Sequence, residues 1–96
     1  MSKPHAPTIA TLRQQIDVVD NELLALLGRR QGLVRQVITV KKEQGLPARI
    51  PDRVSEIIAR LEQAAPEKGA SPELVRAVWT AMVEWFIAHE ERELKG

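Results

Sequence analysis

Arg30 stands on a face where an apolar residue is expected. Leu12, Ile16, Val19, Leu23, Leu26, Leu33, Val37 and Val40 recur at helical spacings of three and four, and Arg30 fills the one gap between Leu26 and Leu33. An unpaired guanidinium there would be costly to bury, so an anionic partner is expected. Lys41 follows eleven residues later. That is close to three full turns and returns it to nearly the same face about 16 Å away. Two cations so placed would bracket a small dianion. Arg13 lies roughly 25 Å from Arg30 along the same helix and cannot serve the same small ligand within one chain. Across an antiparallel pair of chains, Arg13 of one approaches Arg30 and Lys41 of the other, giving two equivalent composite sites. Arg53 is placed to close such a site from the side. Each residue also has a plainer reading. Arg30 could pair with Asp17, Asp20 or Glu22 of a neighbouring helix, and long basic side chains commonly snorkel from helix surfaces.

The elements that must carry these residues are helical. The chain has one Phe and no Tyr, and it lacks an alternating segment bounded by Asn-Gly or Asp-Gly. Thr11 followed by Gln14 resembles a capping box, and proline-free sequence from about Thr8 to Gln44 reads as one helix ending at Gly45, before Pro47. A second stripe of Leu24, Leu27, Val34 and Ile38 makes its apolar surface too wide for a single solvated helix. At its full length of about 55 Å, this helix is too long for two shorter ones to cover, which predicts a second, antiparallel chain. Pro51 opens helix two, with a stripe of Val54, Ile57, Ile58, Leu61 and Ala65, and Pro66 to Gly69 end or kink it. Ser71 caps helix three, with Pro72 first and Glu73 favourable to its dipole. Its stripe runs Leu74, Val75, Val78, Trp79, Met82, Val83 and Phe86, and Glu90 continues it.

Composition narrows the function classes. A chain of 96 residues is one domain with no room for a separate substrate-binding unit: an arm over 1–8, a helical domain over 9–92 and a tail over 93–96. Net charge is +1 with the two signs interspersed, which favours neither nucleic acid nor an anionic membrane. No cysteine is present, so disulfides and thiolate metal sites are excluded. His5 and His89 lie in separate segments without a ligating partner, which argues against a metal. Trp79 and Trp85 read as packing or rim residues. No nucleophile or phosphate-loop motif occurs. The start lacks an apolar run and nothing approaches a bilayer span, so a cytoplasmic location is the expectation.

The run from Leu12 through Arg13, Ile16, Asp17 and Asp20, followed by Leu23-Leu24-Ala25-Leu26-Leu27-Gly28-Arg29-Arg30, closely resembles the opening helix of the all-helical chorismate mutases. Lys41, Arg53 and Glu90 fall at that family's positions, and the likeness covers about residues 9 to 92. The resemblance implies an all-α, intertwined homodimer of three-helix chains. It implies that Arg13 from the partner chain and Arg30 hold the two carboxylates of a chorismate-like dianion. Lys41 would bond the ether oxygen and one carboxylate, Arg53 would support the ring side, and Val54 and Phe86 would line the substrate. No cofactor is implied. The Claisen rearrangement of chorismate to prephenate suits such a site, because it needs a folded substrate conformer and donors at the breaking ether bond rather than a nucleophile. Where the family commonly has a glutamine donating to that oxygen, this chain has Glu90, which must be protonated to play the same role. The corresponding expectation is activity that falls with rising pH and a Glu90→Gln variant that loses this dependence; the plainer reading is that Glu90 pairs with a basic side chain such as Lys41 and never faces substrate.

The pattern departs from the typical mutase at two positions. Ile50 and Val54 stand where acidic residues contact the substrate hydroxyl, and Ile50-Pro51-Asp52-Arg53-Val54 is similar to the isochorismate pyruvate lyases, relatives on the same fold that give salicylate and pyruvate. Four readings follow, in order: a chorismate mutase, an isochorismate pyruvate lyase, a mutase of an amino-substituted chorismate, and a non-catalytic helical dimerisation module.

Overall fold

The computed structural model describes residues 6–96; His5 and the rest of the first five residues lie outside them. The order is α1 (Ile9–Gln44), α2 (Pro51–Ala64), a single 3-10 turn (Pro66–Lys68) and α3 (Pro72–Lys95), with no strand among the described residues. The fold is all-α. Helix α3 runs beyond residue 92, to Lys95. No helix among these residues is long and apolar enough to cross a membrane.

Helix α1 begins close to Thr8, where the sequence places it, but with a different capping residue. The capping residue is Thr8 rather than Thr11: the Thr11 amide donates to Thr8 Oγ1 at 3.1 Å and the Thr8 amide to Thr11 Oγ1 at 3.0 Å. This is a reciprocal box in which a threonine hydroxyl fills the role more often given to Glu or Gln. Helix α1 therefore starts at Ile9, before Thr11. Its other end stops at Gln44 as expected. Gly45 adopts φ +68°, and the Leu46 amide turns back to the Lys41 carbonyl at 2.9 Å. That long return bond past a left-handed glycine satisfies a terminal carbonyl and ends the helix.

The chain divides into two units, Met1–Leu33 and Val34–Gly96. In the first, of which residues 6–33 are described, the helix from Ile9 to Arg29 is exposed throughout, including Ile16, Leu23 and Leu26 at 57%, 58% and 57% exposure.

The second unit holds the core. Helices α2 and α3 pack together, and Ala48, Val83 and Ile87 form a buried cluster flanked by Val54, Trp79 and Leu94. Pro51 is the first residue of α2 and Ser71 Oγ accepts from the Leu74 amide at 3.5 Å, both as the sequence predicts. Two helix faces depart from the expected stripes. Leu74 and Val78 are exposed, whereas Ile87, outside the expected stripe of α3, is buried. On α1 it is Ile38 of the second stripe that is buried, while Val37 and Val40 of the main stripe stay exposed.

Candidate active site

Lys41 is an ammonium in an interior position, 9% exposed on the last turns of α1. Such a group needs acceptors, and two converge on it. Its Nζ donates to Glu90 Oε1 at 2.7 Å and to the backbone carbonyl of Ala48 at 2.8 Å. Glu90, on α3, is equally buried at 7%. The Lys41 backbone carbonyl also receives the Leu46 amide, so one residue fastens the α1–α2 connector through both main chain and side chain. An ammonium has three donors and no acceptor. Two N–H bonds are committed here, which leaves one donor over.

The remaining residues singled out by the sequence are distributed as follows. Arg53 lies on the first turn of α2 as expected, but its guanidinium is exposed and bonded to Glu56, which also receives Arg60. Burial works to raise the Glu56 pKa, and the hydrogen bonds from Arg53 and Arg60 outweigh it, leaving that carboxyl below its ordinary value. Val54 is half-buried against the Ala48 cluster, and Phe86 is buried with Trp85 edge-on at 5.1 Å. Ile50 is the residue at the N-cap of α2 and offers no side-chain bond to the helix, where an acidic residue would have capped it. Trp85 is exposed and stacks on His89 at 5.3 Å, whereas Trp79 is half-buried. In the first unit, Arg13 is exposed and Arg30 is half-buried. Lys41 and Glu90 are thus brought together, and Arg53 is engaged elsewhere.

Three groups were not anticipated from sequence. Ala48 supplies a main-chain carbonyl, which every residue possesses and which no residue type advertises. Arg49 and Glu84 form a two-pronged ion pair across 35 positions, with Nη1 to Oε1 at 2.9 Å and Nη2 to Oε2 at 2.6 Å. The hydrogen bond and charge of Glu84 hold Arg49 above its ordinary pKa, and the hydrogen bond from Arg49 holds the Glu84 carboxyl below its own. No local spacing marks either partner.

The sequence of this three-helix, all-α chain has counterparts among known proteins. The chain belongs to the chorismate mutase type II family, whose profile matches residues 12–91. Among its relatives, the chorismate mutase of Methanocaldococcus jannaschii is 26% identical over 91% of this chain and 88% of that protein. The isochorismate pyruvate lyase of Pseudomonas aeruginosa is 29% identical over 85% of this chain and 80% of that protein. The T-protein of Enterobacter agglomerans is 40% identical over 73% of this chain, and the match spans only 19% of that longer protein.

Proposed function

We propose that the protein is a chorismate mutase that rearranges chorismate to prephenate. The observation that carries this reading is Lys41, a buried ammonium held by two acceptors with one donor left over. Negative charge develops on the ether oxygen as its bond to carbon breaks, and a donor fixed beforehand at that oxygen stabilises the transition state more than the ground state. Neither a nucleophile nor a proton transfer is required. Glu90 serves in this arrangement as the acceptor that aims Lys41 through Oε1; donation to the ether oxygen would additionally require a proton on its other oxygen.

Arg30 and Arg13 take the substrate carboxylates, the latter from a second copy of the chain. Their separation along one helix, about 25 Å, forbids a shared small ligand in cis. The uncovered apolar side chains of α1 support a homodimer: Ile16, Leu23 and Leu26 are more than half exposed, and covering what remains exposed contributes on the order of 1 kcal/mol each. Arg53 turns from Glu56 to the ring side when substrate binds, at small cost because the pair it leaves is exposed.

A second reading is favoured by Ile50 and Val54. Neither side chain can accept a hydrogen bond from a ring hydroxyl, which suits isochorismate and its elimination to salicylate and pyruvate. An amino-substituted chorismate is a weaker candidate, and a non-catalytic module weaker still. The deciding experiment incubates purified protein separately with chorismate and isochorismate while following prephenate, salicylate and pyruvate. Prephenate from chorismate is the expected product. Salicylate with pyruvate from isochorismate, and nothing from chorismate, would replace the mutase by the lyase. No turnover and no binding of either dianion would overturn the enzymatic reading.

A further inference from the structure

The connector between α1 and α2 is fastened to α3 at a point separate from the Lys41–Glu90 pair. Arg49 sets both terminal nitrogens of its guanidinium against the two oxygens of Glu84, a fork-to-fork geometry that fixes orientation as well as distance. Its neighbour Ala48 is buried against Val83 and Ile87 and turns its carbonyl to Lys41 Nζ. A shift of Arg49 therefore moves the carbonyl that directs the ammonium. Glu84 and Glu90 lie six residues apart on α3, so the same helix carries the acceptors of both Arg49 and Lys41.

We propose that Arg49 and Glu84 are positioning residues for Lys41: their ion pair clasps the connector to α3 and thereby holds the Ala48 carbonyl where it aims the ammonium. The catalytic consequence rests on the reading of Lys41 as the donor at the ether oxygen. Both clasp side chains are about half exposed, and exposed ion pairs add little to stability. A purely structural role would therefore leave the Lys41 environment and turnover alone. A positioning role alters both while the fold persists.

The test uses the full chain with Glu84→Gln, Arg49→Gln and the charge-exchanged double variant Arg49→Glu/Glu84→Arg, each checked for helical content by circular dichroism. Acetic anhydride labelling of Lys41, measured by mass spectrometry against the exposed neighbour Lys42, reports the grip on the ammonium without reference to any substrate. Each single variant is expected to raise the Lys41:Lys42 labelling ratio about threefold and to lower kcat about fivefold with KM little changed, the pattern of a misaimed rather than a missing group. The exchanged variant is expected to recover much of both. An unchanged ratio in a folded single variant overturns the clasp. Should one single variant fail to fold, Arg49→Lys, which keeps the charge and loses the fork, is read by the same two measurements. A raised ratio in a protein whose unaltered form turns over neither chorismate nor isochorismate upholds the clasp and sinks the proposed function, so the two failures are distinguishable.

Discussion

Two carboxylates on α3 each receive a basic side chain from the α1–α2 side, and they differ in almost every physical respect. Glu90 meets Lys41 in the interior, with side chains 9% and 10% exposed, whereas Glu84 meets Arg49 at the surface, with side chains 50% and 45% exposed. The exposed pair has the better geometry, two parallel bonds against one. The buried pair has the larger consequence if broken, because removing one partner strands the other charge away from water. A buried ion pair is weak evidence of stability, since apolar residues of similar volume often serve as well. On the proposed function, its presence here is explained by what the ammonium does for a ligand.

The largest expected effect comes from splitting the buried pair. Glu90→Leu strands the Lys41 ammonium and should cost about 3–5 kcal/mol in urea unfolding at fixed protein concentration, whereas Lys41→Met/Glu90→Leu should regain most of the loss. A double variant no more stable than the single one would mean that the two groups are not coupled.

Next in size is complementation between chains. Arg13→Ala and Arg30→Ala should each be inactive alone. Mixed and allowed to exchange subunits, they should recover part of the activity, because one of the two sites in a heterodimer keeps both arginines. Exchange demonstrated by mass, without recovery, would show that the site is not shared between chains.

A smaller effect separates two roles for Glu90. If the only role of Glu90 is to hold Lys41, the bond this structure shows, Glu90→Gln should stay active, and its kcat should follow pH in the same way as the unaltered chain. A kcat that falls with rising pH in the unaltered chain, and not in Glu90→Gln, would instead mark a protonated Glu90 as the donor to the ether oxygen.

The smallest effect concerns the exposed pair. Arg49→Gln should leave the thermal midpoint unchanged within error at neutral pH. Glu84 has its pKa held below the ordinary 4.5, so whatever stability the pair contributes is present above that value and disappears as pH falls through the lower, folded-state one. A difference between Arg49→Gln and the unaltered chain that grows below pH 4 would contradict this sign.

What could be read from the sequence was whatever had a local signature. Pro51, Ser71-Pro72 and Gly45 set their helix ends because proline and glycine restrict or free the backbone where they stand. Lys41 and Glu90 were visible as charges continuing apolar faces, and their pairing was the plainer of the two roles open to Glu90, although neither spacing nor composition decided between the two. Thr8 was overlooked as the cap because its box partner is another threonine rather than a Glu or Gln. The Ala48 carbonyl and the Arg49–Glu84 pair were illegible for a different reason: one is main chain, and the other joins positions that only the packing of the connector on α3 brings together. The apolar face of α1 was legible as a pattern, yet most of it stays exposed in the single chain.

The most direct test of the account compares Glu90→Gln with Lys41→Ala/Glu90→Gln on whichever of chorismate and isochorismate the protein turns over, the glutamine relieving the buried carboxylate that loss of Lys41 would strand. The account predicts that removing the ammonium lowers kcat by on the order of 10²-fold with KM little changed, as for other preorganised donors aimed at developing charge. An unchanged kcat with only a raised KM would contradict it, and would leave Lys41 as a group that merely binds substrate.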